Sequence, residues 1–214
     1  MRLAGLLAGG AWALLVAAGV HAQSAVSGCG PLENQYGPFD YRNQKNKLDI
    51  VERFHFTPNV ESLVSGKSTV NVGGDLDYTL RAFPNHHRAL MAMVRLGEKL
   101  KSPQPPGVGY SIECYFERAL RFRPDDSTVR MLYATYLSKG AREPEALQQL
   151  EQAATHAGDN PFTHYNIGLV YFDLHHYDLA LEQAHLAYGL GFTQPALRER
   201  LQRVGKWKEP EDKP

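Results

Sequence analysis

Residues 161–187, PFTHYNIGLVYFDLHHYDLALEQAHLA, decide the fold. Ile167, Gly168 and Tyr171 share one helical face, and after a short break Ala180, Ala184 and Ala187 recur at the i, i+4, i+7 spacing that lines up side chains on a second helix. Moving outward, Ala187 has counterparts at Ala153 and Ala119, each 34 residues apart. Ala180 matches Ala146 and Ile112, and Ala184 matches Leu150 and Phe116, so one short apolar face occurs three times. Leu132, Tyr133 and Tyr136 occupy the place of the first helix one repeat earlier. Small alanines let the second helix of a pair approach the first, and Gly168 removes the last obstacle to that approach. Pro124 and Pro161 punctuate the turns, and Asp125-Asp126 and Asp159-Asn160 supply oxygen side chains for helix caps.

The spacing resembles the tetratricopeptide repeat, with its pattern of W-x2-L-G-x2-Y followed by alanine, an aromatic, alanine and proline. Ile167, Gly168, Tyr171, Ala180 and Ala187 match it in one repeat, and Ile112, Phe116, Ala119 and Pro124 in another. The tryptophan is missing, its place falling to His87, Val129 and His164. The resemblance implies an all-α, right-handed α-solenoid of three helix pairs over residues 81–192. The first pair opens with a helix over Asn85–Leu100 and carries an exposed insertion, Ser102–Gly107, rich in proline. A closing helix is expected within residues 193–207, over Gln194–Val204 and pinned by Trp207, followed by a disordered tail at 208–214. Residues 23–80 do not fit the repeat and are expected as an irregular extension packed on it. Its start, Cys29-Gly30 followed by Tyr36 to Tyr41, is similar to the opening of exported bacterial tetratricopeptide proteins, a resemblance that brings no activity with it.

Residues 1–22 read as a signal peptide: Arg2, an uncharged stretch from Leu3 to Val20, and a cut after His21-Ala22. The expected location is the periplasm. Val26-Ser27-Gly28-Cys29 resembles a lipobox and offers the alternative of a lipid on Cys29, the one route to a membrane in this reading. In an oxidising compartment Cys29 and Cys114 are instead the pair for a disulfide tethering the extension to the repeats; two separate thiols remain the other alternative.

The chain holds 23 basic and 23 acidic residues among 214, so its overall charge gives no support to a nucleic-acid partner. No nucleophile motif, phosphate loop or dinucleotide fingerprint occurs, so no catalytic residue and no cofactor is assigned. The histidine pairs His86-His87 and His175-His176 are assigned no metal, because neighbours on a helix point about 100° apart. Function is therefore expected from shape. Projected beside Ile167 and Tyr171, the concave stripe of the last repeat is Phe162, Tyr165, Leu169 and Phe172, with Asn166 next to it. One repeat earlier the same projection gives Ser127, Arg130, Ala134 and Leu137, and in the first repeat Asn85, Arg88, Ala92 and Arg95. By similarity to peptide-binding tetratricopeptide domains, this predicts a non-catalytic scaffold or assembly factor. A carboxylate of an extended or C-terminal peptide would meet Arg88, Arg95 and Arg130, and apolar side chains would meet Tyr165 and Phe172. The alternative is an accessory subunit of an envelope complex that associates through its convex face and N-terminal extension, with the groove filled by residues 29–63 through Tyr36, Phe39 and Tyr41.

Overall fold

The computed structural model describes residues 28–210; the signal-peptide reading and residues 211–214 lie outside them. The described residues hold ten α-helices and no strand: α1 (Leu48–His55), α2 (Pro58–Glu61), α3 (Val72–Ala82), α4 (His87–Leu100), α5 (Ile112–Phe122), α6 (Ser127–Lys139), α7 (Glu143–Thr155), α8 (Pro161–Asp173), α9 (Tyr177–Gly189) and α10 (Ala196–Arg203). Helices α4, α6 and α8 each pack on the helix that follows, α4 also touches α6, α6 touches α8, and α10 closes on α8 and α9.

The alanine face explains this order. Ala119, Ala153 and Ala187 are wholly buried, and so are Phe116, Leu150, Ala180 and Ala184. Any Cβ at Gly168 would lie 2.6 Å from Leu197 Cδ2 and 3.3 Å from the Ala180 carbonyl, so glycine is what allows both α9 and α10 to reach α8. Each first helix starts on a capping side chain. His86 accepts from Ala89 N, Asp126 from Val129 N and Asn160 from Thr163 N, all at 3.1 Å. Trp207 lies against Tyr188 and under the Arg198 guanidinium, which pins the end of the chain. The tail expected from residue 208 is held at its start, because the Lys208 carbonyl accepts from His185 Nε2 at 2.8 Å.

Two features of residues 23–80 extend the expectation. Helix α3 ends as α5 does. It runs into Phe83-Pro84-Asn85-His86 as α5 runs into Arg123-Pro124-Asp125-Asp126, with Phe83 N bonding Thr79 O and Arg123 N bonding Ala119 O, both at 2.8 Å. Pro84 precedes Pro124 by 40 residues, the period plus the six of Ser102–Gly107, and Thr79 replaces the marker alanine, so the match was hidden. The second is where the aromatic residues of the extension lie. Its Tyr36, Phe39 and Tyr41 pack on Ala82, Phe83 and the His86 and His87 rings, beside α1 and α3. Gly37, at φ 104°, passes so close to the Ala82 carbonyl that a Cβ would sit 2.4 Å from it.

Cys29 and Cys114 form a disulfide, Cα–Cα 5.1 Å, which ties the extension to α5. A lipid thioether would need the same sulfur, so the bridge and a lipid on Cys29 exclude each other. Around it the wholly buried Arg118 donates to the Cys29 carbonyl at 3.0 Å and also to that of Pro31, while Arg121 reaches the Gly30 carbonyl at 2.7 Å. Further along, buried Asp40 accepts from Arg42, Arg123 and Asn85, and Asn85 also donates to the Asp126 cap at 2.9 Å.

Candidate functional site

The three caps fix which side chains of α4, α6 and α8 are equivalent, and they revise the projected stripe. Counting from His86, Asp126 and Asn160, the partners of Phe162, Tyr165, Leu169 and Phe172 are Thr128, Met131, Thr135 and Ser138 in α6, and Arg88, Met91, Arg95 and Glu98 in α4. The sequence projection was one residue off in α6 and three in α4. Ala134, Leu137, Asn85 and Ala92 are accordingly buried. One residue of slip turns a helix by about 100°, enough to exchange a packed position for a surface one.

Arg130 leaves the stripe for the same reason. It donates through Nε to the Pro124 carbonyl and through Nη1 to Gln149 Oε1, both at 2.9 Å. Thirty-four residues later His164 faces the Gly158 carbonyl and Gln183 Oε1, both at 2.8 Å. The same bridge, from a first helix to the turn before it and to the helix after it, is thus built twice from different side chains, and it is internal.

Arg88 and Arg95 do lie on the face, and the chain itself engages both. Arg88 forks onto the Glu61 carboxylate, with Nε to Oε1 at 2.9 Å and Nη2 to Oε2. This pairing holds the Glu61 carboxyl below the usual carboxylate range. Arg95 donates to the Glu61 carbonyl at 3.0 Å and Lys99 to that of Leu63 at 3.1 Å. Helix α2 is anchored here by Val60, fully buried, and packs on α3 and α4. Residues 58–63 thus engage the basic end of the face, with one carboxylate, Glu61, among its three cations.

At the other end Phe162 is 61% exposed, whereas Tyr165 is buried under Phe192, ring centroids 4.4 Å apart. Phe172 is covered by Tyr177 and by the Arg200 guanidinium at 4.2 Å, and Arg200 pairs with Asp173. Asn166 donates to the Phe162 carbonyl of its own helix at 2.7 Å, and Leu169 is half-buried. What the face offers is a row of uncharged side chains, Met91 and Phe162 exposed at its ends and Met131, Thr135 and Leu169 partly buried between them. Beyond the C-terminal ends of α4 and α6 lies a cleft of about 290 Å³ walled by Val94, Ile112 and Tyr136. Lys139 and Arg142 at its rim are paired with Glu98 and Glu113. Sequence reading missed this cleft; Gly97, where a Cβ would meet Ile112 at 2.2 Å, was its only local signal.

The histidine pairs are divided between different partners. His86 faces Glu52 at 3.2 Å and His87 faces Asp126 at 3.0 Å, while His175 meets Tyr177 and His176 meets Glu143. Among the described residues no group of three or more His, Cys, Asp or Glu side chains is placed to hold a metal ion, and no helix is long and apolar enough to cross a membrane. No protein-family model and no curated protein matches the chain.

Proposed function

We propose that this chain is an exported, non-catalytic helical-repeat module of the tetratricopeptide type, a right-handed α-solenoid of three helix pairs preceded by an incomplete one. It binds an extended segment of a protein partner across α4, α6 and α8. The observation that carries this reading is the row of uncharged side chains from Met91 to Phe162, its ends 46% and 61% exposed and its middle partly buried. Such side chains supply apolar contact area to a partner. The twice-built bridge at Arg130 and His164 supports the repeat itself. Because Arg88 and Arg95 already hold residues 58–63, the ligand in this reading is recognised through apolar side chains instead of a carboxylate.

That same engagement of the basic end favours a second reading, an accessory subunit whose face is self-filled and whose partner sits elsewhere. A photo-crosslinking side chain at position 162 in the periplasm separates them. A discrete segment of another protein attached there, and lost with Met91→Glu while the melting temperature is unchanged, supports the first. Crosslinks confined to the chain's own residues support the second.

A further inference from the structure

A second cleft, of about 280 Å³, opens between α1, α3 and the Tyr36 segment, away from the α4–α6–α8 face. Four rings line it, Tyr36, Phe54, His55 and Tyr78, together with Ile50. The cleft is open to solvent at its rim and roomy enough for one aromatic ring, since benzene fits an enclosed apolar cavity of ~150 Å³. Ile50 and Phe54, one helical turn apart on its rim, are 52% and 46% exposed, apolar surface that a flat ligand would cover.

The polar chemistry of the cleft is narrow. His55 stacks on Tyr78, centroids 3.8 Å apart, and its Nδ1 lies 2.9 Å from Asp75 Oδ1. Asp75 is wholly buried and also accepts from the backbone N–H groups of Lys67, Ser68 and Thr69. Burial alone would raise its pKa, but these donors and His55 outweigh it and hold the carboxyl below its usual range. An ionised carboxylate has no proton to give, so Nδ1 carries the hydrogen, and in the neutral ring Nε2 is then an acceptor. Among the described residues nothing bonds Nε2. Of the hydroxyls on residues that line the cleft, Tyr36 Oη and Ser68 Oγ donate to the Lys47 and Phe54 carbonyls, and Tyr78 Oη has no partner among the described residues.

We infer that this cleft binds a single-ring phenol, its ring among Tyr36, Phe54 and Tyr78 and its hydroxyl donating to His55 Nε2. The acceptor selects against a carboxylate, which would set a second lone pair against that of Nε2, and it distinguishes phenol from plain hydrocarbon. The phenol can be a free small molecule or a tyrosyl side chain.

The test follows the His55 imidazole nitrogens by NMR at about pH 8, while p-cresol, toluene and benzoate are titrated into the protein. A saturable shift at Nε2 with p-cresol is expected, with toluene about threefold or more weaker and benzoate without effect. Ile50→Trp, at an exposed rim position, should fill the mouth and abolish the p-cresol shift. His55→Phe keeps the ring but should bind p-cresol and toluene alike. N-acetyltyrosinamide binding as tightly as p-cresol assigns the site to a tyrosyl side chain, and its exclusion to a free phenol. No saturable shift, equal affinity for p-cresol and toluene in the unaltered protein, or p-cresol binding undiminished by Ile50→Trp would each overturn the inference.

Discussion

Replacing Asn85 tests how the extension is locked to the repeats. Asn85 is wholly buried; its amide nitrogen donates to Asp40 at 2.8 Å and to Asp126 at 2.9 Å, and its oxygen accepts from Tyr41 N at 3.0 Å. One side chain thereby joins the extension, the first turn and the cap of α6. Asn85→Ala removes two bonds to charged acceptors, about 1.5–3 kcal/mol each, and one neutral bond of about 1 kcal/mol. Arg42, Arg123 and His87 still serve the two carboxylates, which tempers the sum. The expected loss is ~3–5 kcal/mol, a fall in melting temperature of roughly 10–15 °C for a chain of this size. Asn85→Asp keeps the shape but sets a third carboxylate between two others, so at pH 7 it should destabilise more than alanine does. Between about pH 7 and pH 5 that extra loss should shrink, because the added carboxyl takes up a proton and becomes a donor again. Urea unfolding of both variants at the two pH values measures this. A loss under about 1 kcal/mol for Asn85→Ala, or an Asn85→Asp penalty independent of pH, would refute the claim that Asn85 bridges two ionised carboxylates.

Joint replacement of Cys29 and Cys114 by serine opens a loop spanning 85 positions, and chain entropy sets the loss at up to ~4.6 kcal/mol; the urea midpoint under oxidising conditions checks it, and an unchanged midpoint would count against the tether. Stability should also fall in two stages with acid. His86, depressed by burial, has its stability present above the unfolded histidine value and lost as pH falls below about 6.5. Asp40, Asp75 and Asp126, all below the ordinary range despite burial, add a steeper loss as pH falls below about 4. Unfolding free energies from pH 8 to pH 3 follow both stages, and a flat profile across either window would contradict the corresponding assignment.

Helix pairing was legible in the chain because it rests on local, periodic signals. Ala119, Ala153 and Ala187 mark the faces that are buried, Asp126 and Asn160 are the caps they were expected to be, and Pro161 starts α8. The likeness of α3 to α5 was not legible, since the Ser102–Gly107 insertion broke the count and Thr79 stands where the alanine marker would. The pairing of Cys29 with Cys114 was one of several alternatives, and it took the approach of the extension to α5 to select it.

The candidate site divides along the same line. By itself the sequence determined that α4, α6 and α8 exist and where α6 and α8 are capped, because helical periodicity and caps act within a few positions of the residue concerned. Only the tertiary structure decided which of those residues remain available. Arg88 is engaged by Glu61 27 positions away, Tyr165 is covered by Phe192 from the loop after α9, and Arg130 is held by Gln149 of the next helix. Such contacts arise when segments distant in sequence dock. Their outcome depends on side-chain direction to within a fraction of a helical turn, which no local pattern specifies.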